Sequence, residues 1–211
     1  LSHVIDVLNL WSSAPHWQTE TARQAAEEAV RRNPCLALAH HAQAHAWMLS
    51  GLHAKAREGF HAALERDPSL AHAHLRLAVI AIEVGRAQDA RPHLQRALEA
   101  APGRPAFEGQ VRFVEGMVAF HLGDDGQADG ALDQALRVAP DSAFAHQWKA
   151  AIEGLRGQEL KAQSHLAKFC ASVGRHTLDS LRATERSGQR DFLRQRSRFY
   201  DGLRRAGLAS H

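Results

Sequence analysis

Fifteen histidines stand out among 211 residues. His41 and His45 are four apart, so on a helix they share a face. His72 can approach them from a neighbouring helix, and three imidazoles with a water can hold zinc. The same cluster could sense a small molecule, or give a pH-sensitive surface, because imidazole changes charge near neutrality. A second stretch, HLGDDGQADG (residues 121–130), sets three Asp among glycines. It lacks the alternating ligands and final Glu of a calcium loop. A turn at Gly123, with Asp124 or Asp125 capping the next helix, accounts for it better. No glycine-rich phosphate loop, Gly-x-Ser-x-Gly elbow or His-Glu-x-x-His pair occurs. No catalytic or metal-binding residue and no cofactor is therefore assigned, and an enzyme is not expected. Cys35 and Cys170 have no metal spacing and read as inert thiols in a reducing compartment.

The elements that must position these residues follow from a repeat. Gly51, Ala56, Phe60, Ala63 and Pro68 reappear 34 residues later as Gly85, Ala90, Leu94, Ala97 and Pro102. They return as Gly123, Ala128, Leu132, Ala135 and Pro140 after a spacing of 38, which places about four extra residues in the connection near Gly103 to Phe107. A fourth set has Gly157, Ala162 and Leu166, with Gly174 at the proline place. Ala22, Ala26, Ala29 and Pro34 form a degenerate first set with Trp17 at the glycine place. Glycine turns the chain after one helix, alanine lets two helices approach, and proline stops the second helix. Helices are expected at about 3–12, 19–32, 37–50, 53–66, 71–84, 87–100, 106–122, 125–138, 142–156 and 158–172, with a local kink at Pro92.

A 34-residue period with these residue types resembles the tetratricopeptide repeat (TPR), a helix–turn–helix unit. The expected fold is all-α: a right-handed superhelical TPR solenoid of about five repeats (3–36, 37–70, 71–104, 109–142, 143–174), closed by C-terminal capping helices over 175–211. The resemblance implies protein–protein interaction through a concave groove lined by the first helix of each unit. Its expected lining is Leu38, His41, His45 and Met48, then His72, Leu75, Val79 and Ile82. Gln110, Phe113, Met117 and Phe120 follow, then Phe144 and Gln147. The middle of this surface is apolar and needs a cover. A partner protein or peptide, a missing N-terminal domain, a second copy of the chain, or its own tail could supply one. In the last case Phe192, Phe199 and Tyr200 form the plug. A small-molecule or metal sensor using the His-rich part of the groove is the alternative function. His40, His74 and His146 share the fourth place of their units, which favours packing for those three.

The tail carries nine Arg against four acidic residues over 175–211, net +5; the chain total of +3 leaves −2 for the rest. A solvated Arg face on a capping helix explains this, and nucleic-acid binding is not expected. FLRQRSRFYDGLRRAGL (residues 192–208) resembles the end of TPR regions in bacterial adenylate cyclases and winged-helix transcription regulators. That resemblance implies the regulatory or dimerising part of a larger bacterial signalling protein. The opening residues have neither the basic flank nor the long apolar core of a signal peptide, and the chain starts at Leu1, so a fragment of a longer cytoplasmic protein is expected. No apolar run is long enough for a membrane span.

Overall fold

A computed structural model of the chain describes residues 16–174 and 176–211. The helix expected at 3–12 lies outside them. The described residues form eleven α-helices, one short 3-10 turn and no strand. Helix α1 (His16–Arg32) is followed by four antiparallel hairpins. These are α2 (Ala37–Leu49) with α3 (His53–Arg66), and α4 (Ala71–Glu83) with α5 (Ala90–Ala100). Next come α6 (Pro105–His121) with α7 (Asp125–Val138), and α8 (Ala143–Leu155) with α9 (Glu159–Val173). A short helix, α10 (Leu178–Arg182), and the terminal α11 (Arg190–Arg205) complete the chain.

One device closes all four hairpin turns. Gly51, Gly85, Gly123 and Gly157 have φ of 73°, 78°, 86° and 72°, a left-handed conformation that only glycine adopts without strain. The amide one residue on then reaches back five residues, as from Leu52 to the Trp47 carbonyl at 2.9 Å. Arg86, Asp124 and Gln158 make the equivalent bonds at 2.8, 2.9 and 2.9 Å. In the second helices Ala56, Ala90, Ala128 and Ala162 are fully buried, and Phe60, Leu94, Leu132 and Leu166 fill the space between layers. Such a side chain stabilises the stack by about 2–3 kcal/mol when buried.

Two local expectations are corrected. The four extra residues do not make a longer connection. They extend α6 to 17 residues, against 13 in α2, α4 and α8, with Pro105 in its first turn. Residues 87–100 are not one continuous α-helix: a 3-10 turn (Ala87–Asp89) precedes α5 and puts Pro92 in that helix's first turn, where its missing N–H is not needed. Asp124, not Asp125, caps α7: its carboxylate accepts from the Gln127 amide at 2.9 Å.

The shared fourth-place histidines have a packing role at two of the three positions. His40 Nε2 and His146 Nε2 each lie 2.8 Å from the carbonyl oxygen of the preceding proline, Pro34 and Pro140. Each ring ties a first helix to the end of the helix before it. Between the last two hairpins Lys149 is buried and bonds Asp133 at 2.7 Å and also Asp129, which itself accepts from Arg156 at 2.8 Å.

Candidate functional site

The tail does not simply cap the end of the stack. After α10 the chain runs back to the first complete hairpin and returns along the floor formed by α2, α4, α6 and α8. The Arg186 carbonyl lies where a Cβ on Gly51 would come within 3.0 Å of it. Ser187 Oγ donates to the Glu83 carbonyl, and Asp191 and Phe192 lie over Gly85. Arg198 donates to the Phe120 carbonyl at 3.4 Å and pairs with Asp125. At the far end α11 meets α8 backbone to backbone. A Cβ on Gly202 would stand 2.1 Å from the Ala151 carbonyl oxygen, and one on Gly154 would stand 2.1 Å from the Gly202 carbonyl oxygen. Beyond α11 the last residues fold onto α10: the Leu178 amide donates to the Ala209 carbonyl at 2.9 Å, and the His211 ring meets Asp179 at 2.6 Å.

Apolar and aromatic contacts hold α11 down. Phe199 is fully buried, with its ring centroid 4.5 Å from Trp148 and 6.3 Å from Phe120. Phe192 stacks on His121 at 5.5 Å, and Tyr200 and Leu203 are buried beside them. The Arg196 guanidinium lies 4.3 Å from the Phe199 ring centroid and bonds Glu185 at 2.6 Å. The tail's cations are thus largely engaged. Arg196 and Arg198 point inward, while Arg194 and Arg204 pair with Asp191 and Asp201 on their own helix.

The expected groove residues divide by burial. His41, His45, Met48, Leu75, Val79, Ile82, Phe113, Met117, Phe120 and Gln147 are buried. His72 and Phe144 are half-buried, and Leu38 and Gln110 are exposed. The plug residues Phe192, Phe199 and Tyr200 meet the floor at Phe120, His121 and Trp148, toward its C-terminal half. At the other end the rings of His41 and His45 stack at 6.4 Å, and His41 packs edge-on against Phe60 at 5.2 Å. Burial, with the buried Arg76 nearby, pushes His41 down to about 3 and His45 well below its usual value. His72 instead packs on Phe107 at 4.7 Å. Among the described residues no three His, Cys, Asp or Glu side chains converge as metal ligands.

Several residues that shape the site escaped the sequence reading. Glu83 and His121 end α4 and α6, each one place beyond where the groove pattern stops, and both face the tail. Trp148 directly follows the last groove position, Gln147, and is the largest aromatic on the floor. Gly154 and Gly202 look like ordinary helix-end glycines. Only the crossing of two helices far apart in sequence reveals what they permit.

Residues 47–112 match the family model described as tetratricopeptide repeat. The fold is a TPR solenoid. No curated protein sequence matches the chain. Among solved structures, the chain is similar to a thermophilic TPR protein of Thermus thermophilus, with TM-score 0.68 and 18% identity over 96% of this chain and 97% of that one. It is also similar to PilW, a type IV pilus biogenesis factor, with TM-score 0.67 and 21% identity over 88% of this chain and 83% of that one. YrrB, a TPR protein with an unusual peptide-binding site, aligns with TM-score 0.55 and 18% identity over 87% of this chain and 94% of that one. Among the described residues no helix is long and apolar enough to cross a membrane.

Proposed function

We propose that the chain is a protein-interaction module whose first-helix groove is held closed by its own C-terminal helix. The helix gives way to a helical or extended segment of a partner, or of a further domain in a larger signalling protein. One observation carries this reading: an amphipathic helix lies on the apolar floor with Phe192, Phe199 and Leu203 inward, the geometry by which a helix in a groove is recognised. The peptide-binding site of YrrB, on a similar fold, supports it. Because the cover is joined to the rest of the chain, its effective concentration is high, and a free competitor must overcome it.

The test uses a synthetic peptide of residues 190–205. It is expected to bind the full chain carrying Gly202→Ala at least tenfold more tightly than the wild-type chain, where the site is already filled. The same peptide carrying Phe199→Asp should bind neither. Equal affinity for both chains, with helical circular dichroism retained, would remove the support for a closed groove.

A further inference from the structure

Between the groove floor and the tail lies a cavity of about 200 Å³. Val79, Met117 and Trp148 form its floor, Phe144 and Phe169 one side, and Phe192 part of its lid. An apolar cavity of roughly 150 Å³ takes up benzene, so this space is large enough for a molecule of one or two rings. Two buried polar atoms on residues lining it, Glu83 Oε2 and His121 Nε2, have no hydrogen-bond partner. His53 Nδ1 stands 3.3 Å from Glu83 Oε2 without hydrogen-bond geometry. Buried polar atoms left in that state favour a ligand that bonds them. Burial pushes Glu83 up to about 7, with Arg186, Glu185, Arg196 and Arg76 acting on it in opposing senses. Burial also pushes His121 down to about 3, helped by Arg196 and Arg198. Of the two arginines in the wall, Arg196 is already bonded to Glu185 and Arg186 is exposed. The site therefore holds no buried, unpaired cation for an anion to match, and burial favours the neutral form of Glu83.

We infer that this cavity is a binding site for a small, uncharged, largely apolar molecule of one or two rings, with one N–H or O–H group that donates to Glu83. Such a ligand would touch α4, α6, α8 and the tail together, and would hold the groove shut. The inference concerns the cavity alone and does not rest on the identity or existence of a protein partner.

The chain supplies its own reporters. Its two methionines, Met48 and Met117, both line the cavity. With ¹³C-methyl methionine in the full chain, indole is expected to shift both methyl signals in a saturable manner. Indene, the same shape without the N–H, should bind about fivefold more weakly, and Glu83→Leu should erase that difference. Filling the cavity from the lid with Thr184→Phe, or from the floor with Val79→Phe, should abolish both shifts. Thr184 is exposed and lies outside the solenoid core, so that variant keeps the test valid if the floor substitution misfolds. Unmoved methyl signals at millimolar indole would overturn the inference. So would shifts that persist unchanged in the Thr184→Phe chain.

Discussion

Gly202→Ala is expected to lift the terminal helix while leaving the solenoid folded. The added Cβ would stand 2.1 Å from the Ala151 carbonyl oxygen and 2.8 Å from its carbonyl carbon, and neither backbone atom can swing away as a side-chain end could. Helix α11 must retreat from α8, and the burial of Phe199, Tyr200 and Leu203 goes with it. Overpacking of this kind costs about 3 kcal/mol. For a domain of this size that lowers the midpoint of thermal unfolding by roughly 6–12 °C. Gly154→Ala should act alike, since its Cβ would meet the Gly202 carbonyl oxygen. Gly130→Ala is the contrast. It lies inside α7, is exposed, and its Cβ would meet nothing within 4 Å. Alanine there should raise stability by about 0.5–1 kcal/mol through helix propensity. Limited proteolysis distinguishes detachment from general loosening: the first two variants should be cut within 183–190 much faster than wild type, and the third should not.

Acid is expected to unfold the chain well above the pH at which its surface carboxylates titrate. His41 and His121 are buried and held down to about 3, against about 6.5 in an unfolded chain. A base with a lowered folded value binds fewer protons folded than unfolded, so stability is full above about 6.5 and falls as pH drops toward 3. At pH 5 each of these rings withdraws about 2 kcal/mol, and His45, lowered for the same reasons, acts in the same sense. Glu83 opposes them. Its folded value is raised to about 7, so its contribution is full below about 4.5 and is lost as pH rises through 7. Between pH 7.5 and 5 that offsets roughly 2 kcal/mol. The histidines outweigh it, and the urea midpoint should fall steadily from pH 6.5 to pH 4.5. His121→Phe should flatten the slope by about one proton. A midpoint unchanged across that range would show that these rings are not buried as neutral groups.

The repeat was legible because each part of it has a local cause. Glycine with positive φ, alanine at the helix contact and proline after the second helix act within one hairpin, so their spacing carries the turn, the close approach and the stop. The extension of α6 was harder to read, because four inserted residues fit a loop or one more helical turn equally well until Pro105 is seen at its start. The groove was legible as an apolar stripe, and Phe192, Phe199 and Tyr200 as material able to cover it. The path of the cover was not. It depends on Gly51 lying under the Arg186 backbone and on Gly154 opposite Gly202, contacts between residues 135 and 48 positions apart that no local pattern encodes. The zinc reading failed for a related reason. His41 and His45 do share a face, but that face turns into the stack beside Arg76, and His72 turns to Phe107 instead.

Amide hydrogen exchange on the intact chain tests the closed groove most directly. If α11 is seated on α6 and α8, its amides from Phe199 to Leu203 should exchange nearly as slowly as those of α8, and Gly202→Ala should speed them without exposing α8 to the same degree. Wild-type α11 amides that exchange at the rate of an unstructured peptide, beside a protected α4, α6 and α8, would mean that the tail does not cover the groove.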